Sequence, residues 1–228
     1  DDSIDVIYGY NADGMIETVA NGYSSRAYKY DANGGLIGED LSIGDENYQL
    51  SYARDDLDNV ELLTYPSGRT LDYAPNAMGR ATQALPYVTA VSYHADGSLQ
   101  QLSYANGRTL DVTNTIRNQV ESIAVAGLVG LEYGYDPAGN VTSITDALSA
   151  ASDRDMTYDG LHRLTAVTGY WGTSNYEYDV FSKIVRKAAP SNGNRTQYYK
   201  YQGLMLDQIS YSDQSAQRGF SYDDYGNI

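Results

Sequence analysis

Few residues in this chain could carry chemistry by themselves. It has two histidines, His94 and His162, no cysteine, and carboxylates gathered at Asp55-Asp56-Asp58 and Asp223-Asp224. A histidine base needs a nucleophile and an orienting acid within hydrogen-bond reach. The two histidines stand in separate predicted turns, with no Ser/His/Asp order around either, and both read as polar turn residues. Asp31-Ala32-Asn33-Gly34 opens like a calcium-binding loop, but the twelfth position falls on Ser42, where a closing glutamate is required. An Asx turn accounts for the same residues without a metal. Carboxylate pairs for glycoside hydrolysis must face each other across a cleft at about 5 to 10 Å, a geometry that spacing along the chain does not supply. The absence of cysteine excludes thiol chemistry, thiolate metal sites and a disulfide scaffold. No catalytic set, metal site or cofactor is predicted.

The residues that do recur in a fixed arrangement are tyrosines. The chain holds 24, against two phenylalanines and one tryptophan. They fall in a motif of about 21 residues: Tyr-x-Tyr, then Asp or Asn, two residues, Gly or a polar substitute, one residue, and an aliphatic. It stands as Tyr8-Gly9-Tyr10-Asn11-Ala12-Asp13-Gly14-Met15-Ile16, as Tyr28-Lys29-Tyr30-Asp31 with Gly34 and Leu36, and as Tyr133-Gly134-Tyr135-Asp136-Pro137-Ala138-Gly139-Asn140-Val141. Aligning the second tyrosine gives Tyr10, Tyr30, Tyr52, Pro75, Tyr93, Thr113, Tyr135, Tyr158, Tyr178, Tyr201 and Tyr222, with Pro75 and Thr113 in place of the aromatic. Gly97, Asp159, Asp179, Asp223 and Gly226 complete the motif in their repeats. Every second position is spaced by about 42 residues, steadier than the single step. A second echo, Tyr65-Pro66-Ser67-Gly68-Arg69-Thr70-Leu71-Asp72, returns as Tyr104-Ala105-Asn106-Gly107-Arg108-Thr109-Leu110-Asp111. A chain built this way is an array, and its function belongs to the assembled surface.

The elements that must position these residues are β-hairpins. Rings at i and i+2 share one face of a strand. The following Asp or Asn bonds nearby backbone amides, and the Gly supplies the positive φ of a tight reversal. Asp13-Gly14, Asn33-Gly34, Asp96-Gly97, Asn106-Gly107 and Asn192-Gly193 mark turn tips. The spacing predicts one all-β array over residues 1–228, about eleven hairpins in a continuous curved or spiralling sheet. Asp146 to Asp155 is the best stretch for a helical turn, and Ile123 to Leu131 reads as a buried strand. One hairpin is marginal in water, so stability must come from lateral stacking. Tyrosine in place of phenylalanine indicates rings packed at one end, with the hydroxyl on water or a backbone acceptor. That describes a sheet with one wet face. A β-propeller is the alternative architecture, since four strands in about 42 residues is the size of a blade.

A formal net charge of -15, with no cluster of Lys and Arg, works against nucleic-acid binding. No apolar run approaches the roughly 20 residues that cross a bilayer as a helix. The first residues carry no signal-peptide pattern, so an export signal would lie outside this chain. The repeat starts and stops mid-register, as a piece of a longer array would.

The Tyr-x-Tyr-Asp-x-x-Gly-Asn/Arg-Leu/Val pattern resembles the YD repeat, or RHS repeat, of bacterial polymorphic toxins, insecticidal toxin complexes and teneurins. Tyr135 to Val141, Tyr158-Asp159 to Leu164, Tyr178-Asp179 and Tyr222 to Ile228 match best. The resemblance implies a strip of hairpins spiralling into a hollow, non-enzymatic shell around a C-terminal toxin or effector domain, in a protein secreted or held at the bacterial cell surface. It implies as partners the adjoining repeats and the enclosed domain. The alternative function is a carbohydrate- or cell-surface-binding adhesion module that meets a glycan or cell-surface ligand, and exposed strand edges would bring in other copies. Family members that release their cargo use a C-terminal Asp-Pro-x-Gly element. Asp136-Pro137-Ala138-Gly139 fits that string, but it lies in register with the other motifs and three repeats follow it, so it reads as an ordinary turn.

Overall fold

The computed structural model describes residues 5–190, 196–212 and 217–223. Gly226 and the Asn192-Gly193 turn lie outside the described residues. The chain divides into two compact units, Asp1–Leu110 and Asp111–Ile228.

The first unit holds β1 (Ile7–Tyr10), β2 (Ile16–Ala20), β3 (Ser24–Tyr30), β4 (Leu36–Ile43), β5 (Glu46–Arg54), β6 (Val60–Thr64), β7 (Thr70–Asp72), β8 (Val88–Tyr93) and β9 (Leu99–Tyr104). Next along the chain come β10 (Thr109–Asn114), β11 (Val120–Val125), β12 (Val129–Tyr135), β13 (Val141–Asp146), β14 (Arg154–Tyr158) and β15 (Leu164–Gly169). They are followed by β16 (Gly172–Tyr178), β17 (Ile184–Ala188), β18 (Thr196–Gln202), β19 (Met205–Tyr211) and β20 (Gln217–Gly219). A 3-10 turn, Ala150–Ser152, falls within the Asp146 to Asp155 stretch.

Strands pair in sequence order, β1 to β7 in a seven-stranded sheet and β8 to β20 in a thirteen-stranded one. Propeller blades of four strands are therefore not formed, and neither sheet closes on itself. The hairpin array expected from the motif is present, but among the described residues its ladder is interrupted between β7 and β8. Residues 73–87 make only the isolated bridges Asp72↔Leu85, Pro75↔Ala81 and Ala84↔Val88. Pro75 and Pro86 lack the N–H that a ladder needs, so the chain there ties itself with single bonds, such as Thr82 N–H to the Tyr73 carbonyl at 3.0 Å.

The run from Ile123 to Leu131 is two strands and not one. Gly127 takes φ 69° and reverses the chain between β11 and β12, and the Leu128 N–H closes on the Val125 carbonyl at 2.9 Å. A positive φ is open to glycine without steric cost, so an apolar run that looks continuous folds back on itself.

Neither unit has a conventional core. Among the described residues the buried ones are Gly35, Gly38, Val125, Ser174 and Ala189, and no large side chain is fully enclosed. The two faces of the sheet in the second unit nevertheless differ. Directly opposed pairs on one face are Tyr133↔Ile144, Met156↔Val167 and Tyr176↔Lys187. On the other face the pairs are Glu132↔Thr145, Asp155↔Thr168 and Glu177↔Arg186. The first set is half-buried and mainly apolar; the second is mostly exposed. Cross-strand neighbours of like character stabilise each face separately.

Candidate functional site

The structural site is a turn repeated along one edge of each sheet. At Asp136 the backbone N–H donates to the Asn140 carbonyl and the Gly139 N–H returns to the Asp136 carbonyl, both at 3.0 Å. The Asp136 carboxylate accepts the N–H groups of Ala138 and Asn140, each at 2.9 Å. The same double acceptance occurs at Asn11, Asp31, Asp55, Asn76, Asp159 and Asp179. Asp136-Pro137-Ala138-Gly139 is thus an ordinary repeat turn. Hydrogen bonding to the charged form holds three of the carboxyls below the usual range: the Asn140 amide does so for Asp136, the Arg163 guanidinium for Asp159, and the Asn59 amide for Asp55. His94 opens a turn of this kind, with Gly97 at its positive-φ place, and His162 occupies the glycine place of another. The two histidines serve separate turns. The Asp31 carboxylate is occupied by the Asn33 and Gly35 amides.

The fourth place of the turn is left-handed. Gly139 has φ 94°. Where glycine is missing the place keeps its geometry, with Asp58 at 66°, Asn118 at 59°, His162 at 61° and Ser182 at 63°. For an L-residue that conformation costs about 1 to 2 kcal/mol. Ser182→Gly is therefore expected to raise stability by about 1 kcal/mol, read as a higher thermal midpoint. An unchanged or lower midpoint would show that the Arg163 to Ser182 Oγ contact at 3.3 Å outweighs the strain.

Immediately before each turn the ladder slips by one residue. The bulge falls on Tyr10, Tyr30, Tyr93, Tyr135, Tyr158, Tyr178 and Tyr201. From this place the tyrosine hydroxyl reaches into the preceding repeat and donates to the carbonyl of its aliphatic residue. Tyr30 donates to Ile16 at 2.7 Å, Tyr135 to Val120 at 2.6 Å, Tyr158 to Val141 at 2.8 Å and Tyr178 to Leu164 at 2.8 Å. Tyr93 does the same to Ala81 at 2.8 Å, Tyr201 to Ile184 at 3.1 Å and Tyr222 to Leu206 at 2.9 Å. Phenylalanine could fill the same space but not this bond. Asp223 follows Tyr222 at the end of the described residues.

Two assignments change. Tyr52 precedes the bulge by two residues, which falls on Arg54. The guanidinium takes over the tyrosine's task, donating from Nε and Nη2 to the Leu36 carbonyl at 3.2 and 3.1 Å. The Tyr52 hydroxyl instead binds the Glu39 carboxylate at 2.7 Å. Likewise the turn opened by Thr115 and closed through Asn118 puts Asn114, not Thr113, at the bulge place. In neither repeat does a tyrosine stand at the bulge place, and backbone closure sets the register.

The polar residue just before the aliphatic was not singled out from the sequence, yet it forms a second lateral tie. Arg163 pairs with Asp159 at 2.6 Å, lies 4.8 Å over the Tyr178 ring and donates to the Asp179 carbonyl at 3.1 Å. Lys183 repeats this toward Tyr201 at 4.7 Å and the Gly203 carbonyl at 2.8 Å. Asn140 meets His162 Nδ1 at 3.0 Å, and Arg80 lies 5.5 Å from the Tyr93 ring. Recurrence of Asn, Arg or Lys at that one place was the available signal.

An antiparallel hairpin ladder, with a turn aspartate and a tyrosine that ties each repeat to the last, is the arrangement that the repeated motif called for. Residues 135–169 match the RHS repeat family. Solved structures share the fold over nearly the whole chain. The crystal structure of TcdB2-TccC3-Cdc42 is 16% identical with a TM-score of 0.63, over 96% of this chain and 13% of that one. The Photorhabdus luminescens Tc holotoxin pore with TccC3-D651A is 17% identical with a TM-score of 0.64, over 93% and 13%. TcdB2-TccC3 itself gives 17% and 0.64, again over 93% and 13%. This chain therefore spans about 13% of the length of those structures. No curated protein matches it by sequence. No helix among the described residues is long and apolar enough to cross a membrane.

Proposed function

We propose that residues 1–228 are one YD-repeat array serving as a non-enzymatic wall segment, part of a shell around a C-terminal toxin or effector domain of a secreted or cell-surface protein. The observation that carries this reading is a sheet without a core whose two faces differ in chemistry, each repeat tied to the last by hydroxyl, amide or guanidinium bonds. Such a sheet separates one side from the other and needs no buried active site. Its natural partners are further repeats and the enclosed domain. Exposed strand edges supply the contact: on β1, Ile7, Tyr8 and Tyr10 are 69%, 53% and 61% exposed, and an unpaired apolar edge is a template for another strand.

Negative-stain images and limited proteolysis of the full-length parent protein test the proposal. The expected result is a hollow particle in which the C-terminal domain survives protease. A solid particle, or a C-terminal domain cleaved as fast as when free, would sink it. The isolated chain should associate with rising concentration in light scattering; a strict monomer would count against the edge contacts.

A further inference from the structure

We propose that one edge of the second unit, formed by the turn tips of β14–β15, β16–β17 and β18–β19, docks on a phospholipid surface with anionic headgroups. On these three tips Leu161, Val180, Phe181 and Leu204 are 67%, 90%, 75% and 88% exposed. Single apolar residues in water are ordinary on a protein surface. Four on three consecutive tips of one edge form a row, since neighbouring tips lie two strands, about 9 to 10 Å, apart.

Phe181 is the informative member. It and Leu161 hold the third place of the repeat turn, which elsewhere carries Asp13, Asn33 and Asp96. The turn itself thus calls for nothing apolar there. The chain has only two phenylalanines, and while Phe220 is half-buried, Phe181 stands out in solvent. Tips this exposed protrude, and a bilayer takes up protruding apolar groups without a matching groove.

Charge decides which surface they meet. Residues 154–211, the span of these three hairpins, carry seven Lys and Arg against five Asp and Glu, a net +2. The rest of the chain carries eight against 25, a net -17. At physiological ionic strength charges are screened within about 8 Å, so the local sign governs what approaches this edge. The cations stand just behind the tips: Lys183 lies 5.6 Å from the centre of the Phe181 ring and 4.7 Å from that of Tyr201, and Arg163 lies 4.8 Å over Tyr178. Apolar tips backed by tyrosines and cations follow the depth order of a membrane interface, hydrocarbon first and then aromatic rings and basic groups at the headgroups. Leu57 in the first unit is the contrast: it is 64% exposed but sits between Asp56 and Asp58, which an anionic surface repels. The inference uses only this edge and stands apart from the wall reading.

Flotation of the whole chain with vesicles tests the docking, with phosphatidylcholine alone beside phosphatidylcholine mixed with phosphatidylserine. The chain should float with the mixed vesicles and bind them at least about threefold more tightly than phosphatidylcholine alone, an advantage that high salt removes. Phe181→Asp combined with Leu204→Asp should weaken binding at least about tenfold. Aspartate already occupies the Phe181 place in other repeats, so the turn should survive, and circular dichroism should show every variant folded. Lys187→Gln with Lys200→Gln should shrink the advantage of the anionic vesicles and spare binding to phosphatidylcholine. Leu57→Asp with Met78→Asp, at tips of the first unit, should leave binding unchanged. No flotation with the mixed vesicles, tip variants that bind as well as the parent chain, or an equal loss from the first-unit pair would overturn the proposal. Tip variants that abolish self-association in light scattering, with no vesicle bound by the parent chain, would assign the row to a second copy instead and overturn it too.

Discussion

Replacing Tyr135, Tyr158 and Tyr178 together by phenylalanine should destabilise the chain by about 3 kcal/mol, at about 1 kcal/mol for each hydroxyl-to-carbonyl bond. The rings stay, so packing is nearly kept. What is lost is the tie to Val120, Val141 and Leu164, and each of those carbonyls is left without its donor. The three bonds lie in successive repeats and share no partner, so their effects should be close to additive. For a chain of this size that is a fall in thermal midpoint of about 6 to 12 °C. Because an array holds together through nearest-neighbour interfaces, the transition should also broaden as repeats uncouple. Tyr133→Phe with Tyr176→Phe is the control. These are the first rings of the same Tyr-x-Tyr pairs, and their hydroxyls bind no backbone carbonyl, so the midpoint should hardly move. Equal losses in both sets would show that hydroxyls in general, and not the ties, set the stability.

Raising the pH above about 10 should unfold the protein cooperatively, and the tyrosines are the reason. Burial pushes up the phenols of Tyr135, Tyr158, Tyr178 and Tyr201. Tyr52 is pushed up to about 12, by burial first and then by its hydrogen bond to the Glu39 carboxylate. In the unfolded chain the same phenols ionise near 10. A folded value above the unfolded one means that the protonated phenol favours the fold. That stability is fully present below about pH 10 and is lost as the pH rises through the folded values, up to about 12 for Tyr52. Phenolate absorbance should therefore appear together with loss of the β circular dichroism signal, in one transition. Gradual titration near pH 10 with the β signal intact would contradict this. The turn carboxylates act at the other end, since Asp55, Asp136 and Asp159 are held low and their contribution fades as the pH falls through those values.

Much of this was legible in the sequence because the informative rules are local. Tyr-x-Tyr places two rings on one strand face by the two-residue period. Asp136 and Gly139 specify a turn through an oxygen three bonds from the backbone and a φ open to glycine. Those relations hold within five residues and need no knowledge of the rest of the chain. Departures came where a local signal was ambiguous or absent. Ile123 to Leu131 is apolar enough for one strand, and only the conformation of Gly127 makes it two. Tyr52 drew the alignment away from Arg54 because side-chain identity is visible in a sequence and a bulge is not.

The sequence by itself determined that the chain is an all-β array of hairpins, with a turn at each Asp or Asn and with hydroxyls that call for an acceptor. Only the tertiary structure decided which acceptor. The ties from Tyr158 to Val141 and from Arg54 to Leu36 join groups 17 and 18 residues apart, set by strand pairing and not by neighbours in the chain. Residue type shows what a side chain can do, but contact between repeats depends on register, and register is a property of the paired strands.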